Sequence, residues 1–318
     1  MALFYWINYA VLASFLTLFT IEIGVALSFI FAYESSKDKL RRYLNPIWQI
    51  TGTFAVFYVV NFVTTFPTAL VFVGNFYIAP LLGAALFFIL RNAFLVYSEY
   101  VNDPVKEKKY LRVYSFSALF AAFLVISVLS SGVSGYGVNL STGTASVIAI
   151  LFNPFDMLVF ASVALLGLFI DSVVFSIEPF RKIGPICGLV ALVLVFFGLA
   201  AYLPYSIQNL GANIPLFTLL FVLLFAIILF NLVRNKIARY ISFVWLFYSI
   251  IFFGVLQYPY WFGGSALSSS YLVNAIVGHY AVLITIVGGI FLTIALSAFA
   301  YITYFKKDYQ NKIQNKRY

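Results

Sequence analysis

The sequence is short of charge, cysteine, histidine and methionine, and each shortage excludes a class of protein. Of its 318 residues 9% are charged and 64% are hydrophobic, which leaves too little charge to cover a water-soluble fold. The single cysteine, Cys187, excludes disulfides within the chain and thiolate metal clusters. With one histidine, His279, and two methionines, Met1 and Met157, we expect no haem to be bound by this chain alone.

Long apolar runs dominate what is present, and each is about long enough to cross a ~30 Å hydrocarbon core. We therefore predict an all-α, polytopic protein of the cell membrane with about nine transmembrane helices in one integral-membrane domain. The predicted helices cover residues 7–33, 48–73, 76–97, 113–131, 155–177, 183–202, 214–233, 241–256 and 280–304.

The order of the helices indicates two related four-helix halves and a ninth helix. The halves are helices 1–4, at about 7–131, and helices 5–8, at about 155–256; helix 9, at about 280–304, precedes a basic tail at 305–318. An Asn-Pro pair precedes both the second and the fifth helix, as Asn45-Pro46 and Asn153-Pro154. Proline suits the first helical turn and asparagine can cap it.

Basic residues occur in every second connection. The first, third, fifth and seventh connections and the C-terminal tail carry Lys and Arg, whereas the other four carry none. Short basic loops stay in the cytoplasm, so this alternation predicts an outer N-terminus and an inner C-terminus. The formal net charge of +9 is thereby assigned to cytoplasmic loops, and we expect no nucleic-acid partner.

Ionisable residues inside a membrane are costly and usually face a protein interior. Glu22 lies near the midplane of the first helix, and we interpret it as a proton-path carboxylate or a structural hydrogen-bonding group. Arg91 and Asp171 lie at one predicted depth on helices that run in the same direction, which predicts a structural ion pair. Asp156 is interpreted as a first-turn acid that complements the helix dipole.

The outer connections are rich in aromatic and small polar residues. Trp261, in the segment Tyr258-Pro259-Tyr260-Trp261-Phe262, and His279 are predicted to be interfacial. This segment either anchors the chain at the headgroups or docks a partner subunit or a lipid-like quinone. The sequence has no Cys/His cluster, phosphate-binding glycine loop or nucleophile elbow, so we predict no metal site and no catalytic residue.

Several segments together resemble subunit II of the cytochrome bd quinol oxidases. The similar segments are 22–25 (Glu-Ile-Gly-Val), 45–48 (Asn-Pro-Ile-Trp), 66–67 (Phe-Pro), 74–79, 86–91 (Leu-Phe-Phe-Ile-Leu-Arg), 151–155 (Leu-Phe-Asn-Pro-Phe) and 243–274. The resemblance covers most of the chain, and nine helices with an outer N-terminus agree with it.

The resemblance implies a haem-free, non-catalytic subunit that packs against a haem-bearing membrane subunit of a quinol-oxidising terminal oxidase. It also implies that Glu22 matches an acid of the family's proton route from the cytoplasm. Gln49 stands where that family has an aspartate, so a complete proton channel is not implied. Quinone and lipid are further candidate ligands.

Two other classes of function stay open at this point. One is the membrane anchor of another respiratory complex, such as an archaeal cytochrome b or a sulfur or nitrogen quinone oxidoreductase. The other is a secondary transporter, which would be expected to break its helices at the midplane. Here prolines such as Pro46, Pro154 and Pro185 lie at the predicted helix ends, which disfavours a transporter.

Overall fold

The computed structural model describes residues 2–101, 103–233, 237–262, 265–266 and 275–300. Its elements, in chain order, are α1 (Ala2–Phe31), α2 (Tyr33–Thr65), α3 (Pro67–Tyr100), α4 (Pro104–Ser134), β1 (Val138–Asn139), β2 (Thr144–Ala145), α5 (Val147–Leu151), α6 (Pro154–Val174), α7 (Glu178–Arg181), α8 (Gly184–Tyr202), α9 (Pro204–Ala212), α10 (Ile214–Leu232), α11 (Ile237–Gln257), β3 (Tyr260–Trp261), β4 (Ser265–Ala266) and α12 (Ala275–Ala300). The all-α, multi-pass fold predicted from the sequence is confirmed.

Among the described residues, nine helices have 19 residues or more. Eight of them are long and apolar enough to cross a membrane. The ninth is α2, whose second half is interrupted by polar residues such as Gln49, Thr51 and Asn61. Helices suit this setting because each backbone group finds its hydrogen bond within the same segment.

Proline and its neighbours set the helix boundaries. Pro67, Pro104, Pro154 and Pro204 each stand in the first turn of a helix, where a missing N–H costs nothing. Asp103 caps α4 by accepting from the Val105 amide at 2.9 Å, and Asn153 caps α6 by accepting from the Asp156 amide at 2.7 Å.

Most predicted helix ends differ from the structure by a few residues, and two of the differences alter a connection. The predicted break between the second and third helices, at residues 74–75, lies inside α3, because Phe66-Pro67 ends α2 earlier and starts α3. The first basic connection is helical, since α2 begins at Tyr33, directly after Ala32. The predicted tail at 305–318, and Arg234 and Lys236 of the fourth basic connection, lie outside the described residues.

α1 is the central helix of the molecule. It packs against α2, α4, α6, α11 and α12. On the side of α6 the two backbones approach closely: a methyl group added to Gly167 would lie 2.7 Å from the Gly24 amide nitrogen and 2.7 Å from the Thr20 carbonyl oxygen. Small residues at helix contacts permit such an approach in membranes. This packing places side chains of α1, α3, α4 and α6 around one buried volume.

The far side of the molecule is an apolar core around α11. Trp245 is fully buried, packs edge-on against Phe169 of α6 at 5.5 Å between ring centroids, and donates its indole N–H to the Leu220 carbonyl at 2.9 Å. The helix α12 is joined to α2 by a hydrogen bond of 2.5 Å from the Thr285 hydroxyl to Asn61 Oδ1. Charged side chains inside the molecule are therefore concentrated beside α1.

Candidate functional site

A buried ion pair lies beside α1. Glu22 is 0% exposed, and Arg91 of α3, at 1% exposed, places its Nη1 atom 2.9 Å from both carboxylate oxygens. Arg91 also donates from Nε to Asn92 Oδ1 at 3.1 Å, and its guanidinium lies 4.8 Å from the centre of the Phe88 ring. A planar guanidinium that meets a carboxylate in this way neutralises a charge that would be very costly alone.

Two hydroxyl groups complete the surroundings of Glu22. The Tyr114 phenol of α4 donates to Glu22 Oε1 at 3.1 Å, and Tyr114 is itself fully buried. The Thr51 hydroxyl of α2 also forms a hydrogen bond with the Glu22 side chain. Four helices therefore meet at one carboxylate, and each of α2, α3 and α4 supplies a hydrogen-bonding partner. We call Glu22, Arg91, Tyr114 and Thr51 the Glu22 cluster.

The prediction that Arg91 forms an ion pair with Asp171 is wrong, because the ion-pair partner of Arg91 is a different acid. Asp171 of α6 accepts instead from the Ser28 hydroxyl at 3.0 Å, while its other oxygen, Oδ1, has no hydrogen-bond partner among the described residues. The reason is depth. Arg91 and Glu22 each lie nine residues before the end of their helices, whereas Asp171 lies three before the end of α6. At 1.5 Å per residue, Asp171 is therefore about 9 Å nearer that end than Arg91.

Asp171 and the Glu22 cluster are neighbours nevertheless. Tyr114 interacts electrostatically with Glu22, Arg91 and Asp171, which places its phenol near both acids. The close approach at Gly24 and Gly167 brings the Asp171 carboxyl carbon within 2.9 Å of a methyl group added to Gly24. The structure thus brings Glu22, Arg91 and Asp171 into one buried region and joins the first two directly.

Asp156 is separate from this region. It lies in the first turn of α6, as predicted, is fully buried, and accepts from the Ser127 hydroxyl of α4 at 2.6 Å. Its main role in the described residues is to join α4 and α6 near the opposite end of α6 from Asp171.

The two residues predicted to be interfacial lie away from the Glu22 cluster. Trp261 belongs to β3, and its side chain lies outside the described part of the structure. His279 lies in α12, is exposed, and packs edge-on against Phe4 of α1 at 6.0 Å between ring centroids.

Two ion pairs connect the beginnings of α2 and α4. Lys108 Nζ lies 2.6 Å from Glu34 Oε1, and Arg41 Nη1 lies 3.2 Å from Glu107 Oε1. The hydrogen bond from the Lys108 ammonium lowers the pKa of the Glu34 carboxyl below its ordinary value. Because α2 and α4 begin on the side where α1 and α3 end, these acids lie at the end of the molecule nearest Asp171.

Sequence reasoning did not single out Tyr114, Thr51 or Ser28. Hydroxyl residues are common in membrane helices, and nothing in their local sequence distinguishes these three. One signal was available: the small residues Gly24 and Ser28 are spaced four apart on α1. Small residues at that spacing are typical of close helix contacts.

The model of the family described as "Cytochrome bd terminal oxidase subunit II" matches residues 1–306. The chain belongs to this family. It is accordingly a multi-pass membrane subunit of a respiratory terminal oxidase.

A solved structure supports the fold. A chain in the structure of bd oxidase from Geobacillus thermodenitrificans matches with a TM-score of 0.73 and 18% sequence identity, covering 96% of this chain and 99% of that chain. At this identity the likeness shows the fold alone. No curated protein sequence matches the chain.

A cytochrome bd oxidase complex contains haem, so the donor atoms of this subunit can be tested for a haem site. Haem iron is held by axial side chains such as His, Met, Cys or Tyr. Here His279 is exposed on α12 and Cys187 lies half-buried on α8, and within the described ranges no group of three His, Cys, Asp or Glu residues could hold a metal ion. The described His279 and Cys187 lie on different helices, α12 and α8.

The missing carboxylate at Gln49 also has a structural context. Gln49 is exposed on α2, so its amide is not part of the Glu22 cluster. Two residues further along, Thr51 is fully buried and reaches Glu22. In this bd-type subunit α2 therefore contributes a hydroxyl group, rather than a second acid, to the neighbourhood of Glu22.

Proposed function

We propose that this chain is the haem-free, non-catalytic subunit of a quinol-oxidising terminal oxidase, in which it supports a haem-bearing membrane subunit. The family match along residues 1–306 supports the complex, and the poor set of axial ligands supports the assignment of haem to the partner. Quinol oxidation and oxygen reduction then take place on the partner subunit.

We further propose that Glu22 belongs to a proton path into that complex. The observation that carries this proposal is the fully buried Glu22 carboxylate, which is paired with Arg91 and hydrogen-bonded to Tyr114. A proton acceptor must be ionised before it receives a proton, and Arg91 keeps the carboxylate ionised at a depth where a lone charge would be very costly.

The neighbouring groups suggest how a proton would reach Glu22. Asp171, unlike Glu22, has no cationic partner among the residues that the structure describes, so its neutral, protonated form is the less costly one. Oδ1 of Asp171, which has no hydrogen-bond partner among the described residues, is the atom from which Asp171 would pass on its proton. The Tyr114 phenol lies near both acids. We propose the order Asp171, Tyr114 and Glu22, starting from the end of the molecule with Glu34 and Glu107.

The test is oxygen consumption by the assembled complex. Glu22→Gln keeps the shape of the side chain but cannot carry a proton, so it should slow turnover per assembled, haem-loaded complex. Because it leaves Arg91 unpaired, the double variant Glu22→Gln/Arg91→Gln should be measured beside it. Asp156→Asn is the matched control, since Asp156 is an equally buried acid outside the cluster, and it should keep full activity.

Two results would contradict the proton path. One is full oxygen consumption in an assembled Glu22→Gln complex with normal haem content. The other is an equal loss in Glu22→Gln and Asp156→Asn, which would indicate a general defect of packing. Tyr114→Phe changes no charge, so slower turnover in that variant would place the phenol on the path.

The assignment of haem has its own test. Expressed without its partner, this chain should show no haem absorbance after purification, and co-expression with the haem-bearing subunit should yield a complex with a b-type spectrum. A stoichiometric haem spectrum from the isolated chain would contradict the proposal and would leave the proton-path test unaffected.

The orientation can be tested by labelling single cysteines from outside the cell, in a chain with Cys187 replaced. The alternation of basic connections predicts that Thr142→Cys, on the exposed β1–β2 hairpin, is labelled, and that Lys109→Cys, at the exposed start of α4, is not. The reverse pattern would mean that the N-terminus lies inside.

A further inference from the structure

A cleft of about 510 Å³ opens between the beginning of α2, the end of α6 and the beginning of α11. It lies at the end of the molecule where the basic connections occur, away from the Glu22 cluster. Its lining residues are Asp38, Lys39, Tyr43, Val174, Phe175, Ser176 and Arg239. None of them takes part in the proposed proton path.

Two cationic side chains from different helices converge in this cleft. Lys39 of α2 donates from Nζ to the Ser176 carbonyl at 2.6 Å, and Arg239 of α11 donates from Nη2 to the Ser176 hydroxyl at 3.5 Å. Ser176 has a positive φ of 51°, which is unusual for a residue other than glycine. Among the described lining residues Asp38 is the one acid beside two cations, so these residues carry a net positive charge.

The rest of the wall is aromatic and apolar. The Tyr43 and Phe175 rings pack at 5.2 Å between centroids, and Val174 continues that surface. Near Arg239, the Tyr240 side chain is 74% exposed, as expected for a face that meets lipid. The cleft therefore combines a cationic corner with an apolar wall at one end of the helix bundle.

We propose that this cleft binds the phosphodiester headgroup of an anionic membrane lipid. The Lys39 ammonium and the Arg239 guanidinium would bind the phosphate oxygens, and the wall of Tyr43, Phe175 and Val174 would contact the lipid beside its headgroup. Basic pockets between helices at the cytoplasmic surface have this chemistry. Inorganic phosphate would use the same cations but would gain nothing from the apolar wall. The site is independent of the proposed proton path.

The experiment compares lipid retention in the complete, detergent-solubilised complex. Phosphatidylglycerol, phosphatidylcholine and inorganic phosphate are titrated separately, and native mass spectrometry counts the bound molecules. Each cation near a membrane surface contributes about a fivefold gain in affinity for an anionic lipid, so Lys39→Gln/Arg239→Gln should weaken phosphatidylglycerol binding about 30-fold. The charge-conserving pair Lys39→Arg/Arg239→Lys should bind within a few-fold of the natural protein.

The matched control removes two exposed cations from the same end of the molecule, as Lys109→Gln/Arg112→Gln on α4. It should leave the tightest phosphatidylglycerol site intact. Equal weakening in the two double variants would overturn the proposal, because the lipid would then respond to surface charge alone. Equally tight binding of phosphatidylcholine, or full displacement of the lipid by inorganic phosphate, would also overturn it.

Discussion

One buried acid lies on the α3 side of α1 and another on the α6 side, and the two carboxyl groups have different neighbours. On the α3 side, Glu22 meets a guanidinium and two hydroxyl groups. On the α6 side, Asp171 meets one serine hydroxyl and leaves an oxygen without a partner. Both side chains are 0% exposed, so burial alone does not distinguish them.

The neighbours of a buried carboxyl group, and not its depth, therefore decide which of its charge states is stable. A buried ion costs several kcal/mol unless a counter-ion and hydrogen bonds offset that cost. Arg91 supplies this compensation for Glu22, so Glu22 is expected to be ionised. Ser28 cannot supply it for Asp171, so Asp171 is expected to carry a proton.

The largest effect should come from removing the counter-ion on the α3 side. Arg91→Leu leaves the Glu22 carboxylate buried without a partner, which typically costs about 3–5 kcal/mol. We expect a strong loss of assembled complex and a lower melting temperature in detergent.

The second substitution in this experiment is Glu22→Gln. In the double variant Arg91→Leu/Glu22→Gln both charges are absent, so much of the loss should be recovered. If the loss of stability in the double variant equals the sum of the losses in the two single variants, the two residues do not stabilise each other. The proposed difference between the two buried acids would then be contradicted.

A smaller effect is expected where α1 and α6 touch. Gly167→Ala places a methyl group against the backbone of Gly24 and Thr20, and overpacking of this kind typically costs about 1–3 kcal/mol. Gly52→Ala is the matched control, because no atom lies within 4 Å of the added methyl group. Thermal melts of both variants would test this: equal stability would show that α1 and α6 can move apart freely.

Asp171→Asn should have a still smaller effect on stability. If Asp171 is already neutral, the amide replaces a protonated acid of nearly the same shape, and the change should stay below about 1 kcal/mol. The melting temperature of the assembled complex measures this directly. A loss as large as that of Arg91→Leu would show that Asp171 is ionised and would make the two acids equivalent.

The smallest effect concerns the exposed pair Glu34 and Lys108. The lowered pKa of Glu34 means that any stabilisation by this pair is present above the ordinary glutamate pKa and is lost as the pH falls through the lowered value. Lys108→Gln should raise the Glu34 pKa, as followed by NMR of ¹³C-labelled glutamate carboxyl groups. Both groups are solvated, so the melting temperature at neutral pH should not change measurably. An unchanged Glu34 pKa would refute the assigned cause.

Much of the fold could be predicted from the sequence, because each apolar run must form its own backbone hydrogen bonds in a membrane. The break between two helices at Phe66-Pro67 was missed because Gly74-Asn75 is the stronger turn signal in the sequence. In the structure the proline of Phe66-Pro67 starts the next helix. Glu22, Arg91 and Asp171 could be found because charge is rare inside such helices.

Their pairing could not be derived from the sequence. Predicted helix ends are uncertain by two or three residues, and at 1.5 Å per residue this error is comparable to the separation that decides which side chains meet. The predicted ends at residues 97 and 177 placed Arg91 and Asp171 at one depth, whereas the helices end at Tyr100 and Val174. Hydroxyl partners such as Tyr114 and Ser28 depend on the rotation of each helix, which the apolar pattern of a membrane helix leaves undetermined.

The most direct test of the difference between the two acids is infrared spectroscopy of the resting complex. A protonated carboxyl group shows a C=O stretching band that an ionised carboxylate lacks. If Asp171 is protonated and Glu22 is ionised, Asp171→Asn removes such a band and Glu22→Gln leaves the spectrum in this region unchanged. Loss of a protonated-carboxyl band in Glu22→Gln, with none in Asp171→Asn, would contradict the assigned charge states and the proposed order of the proton path.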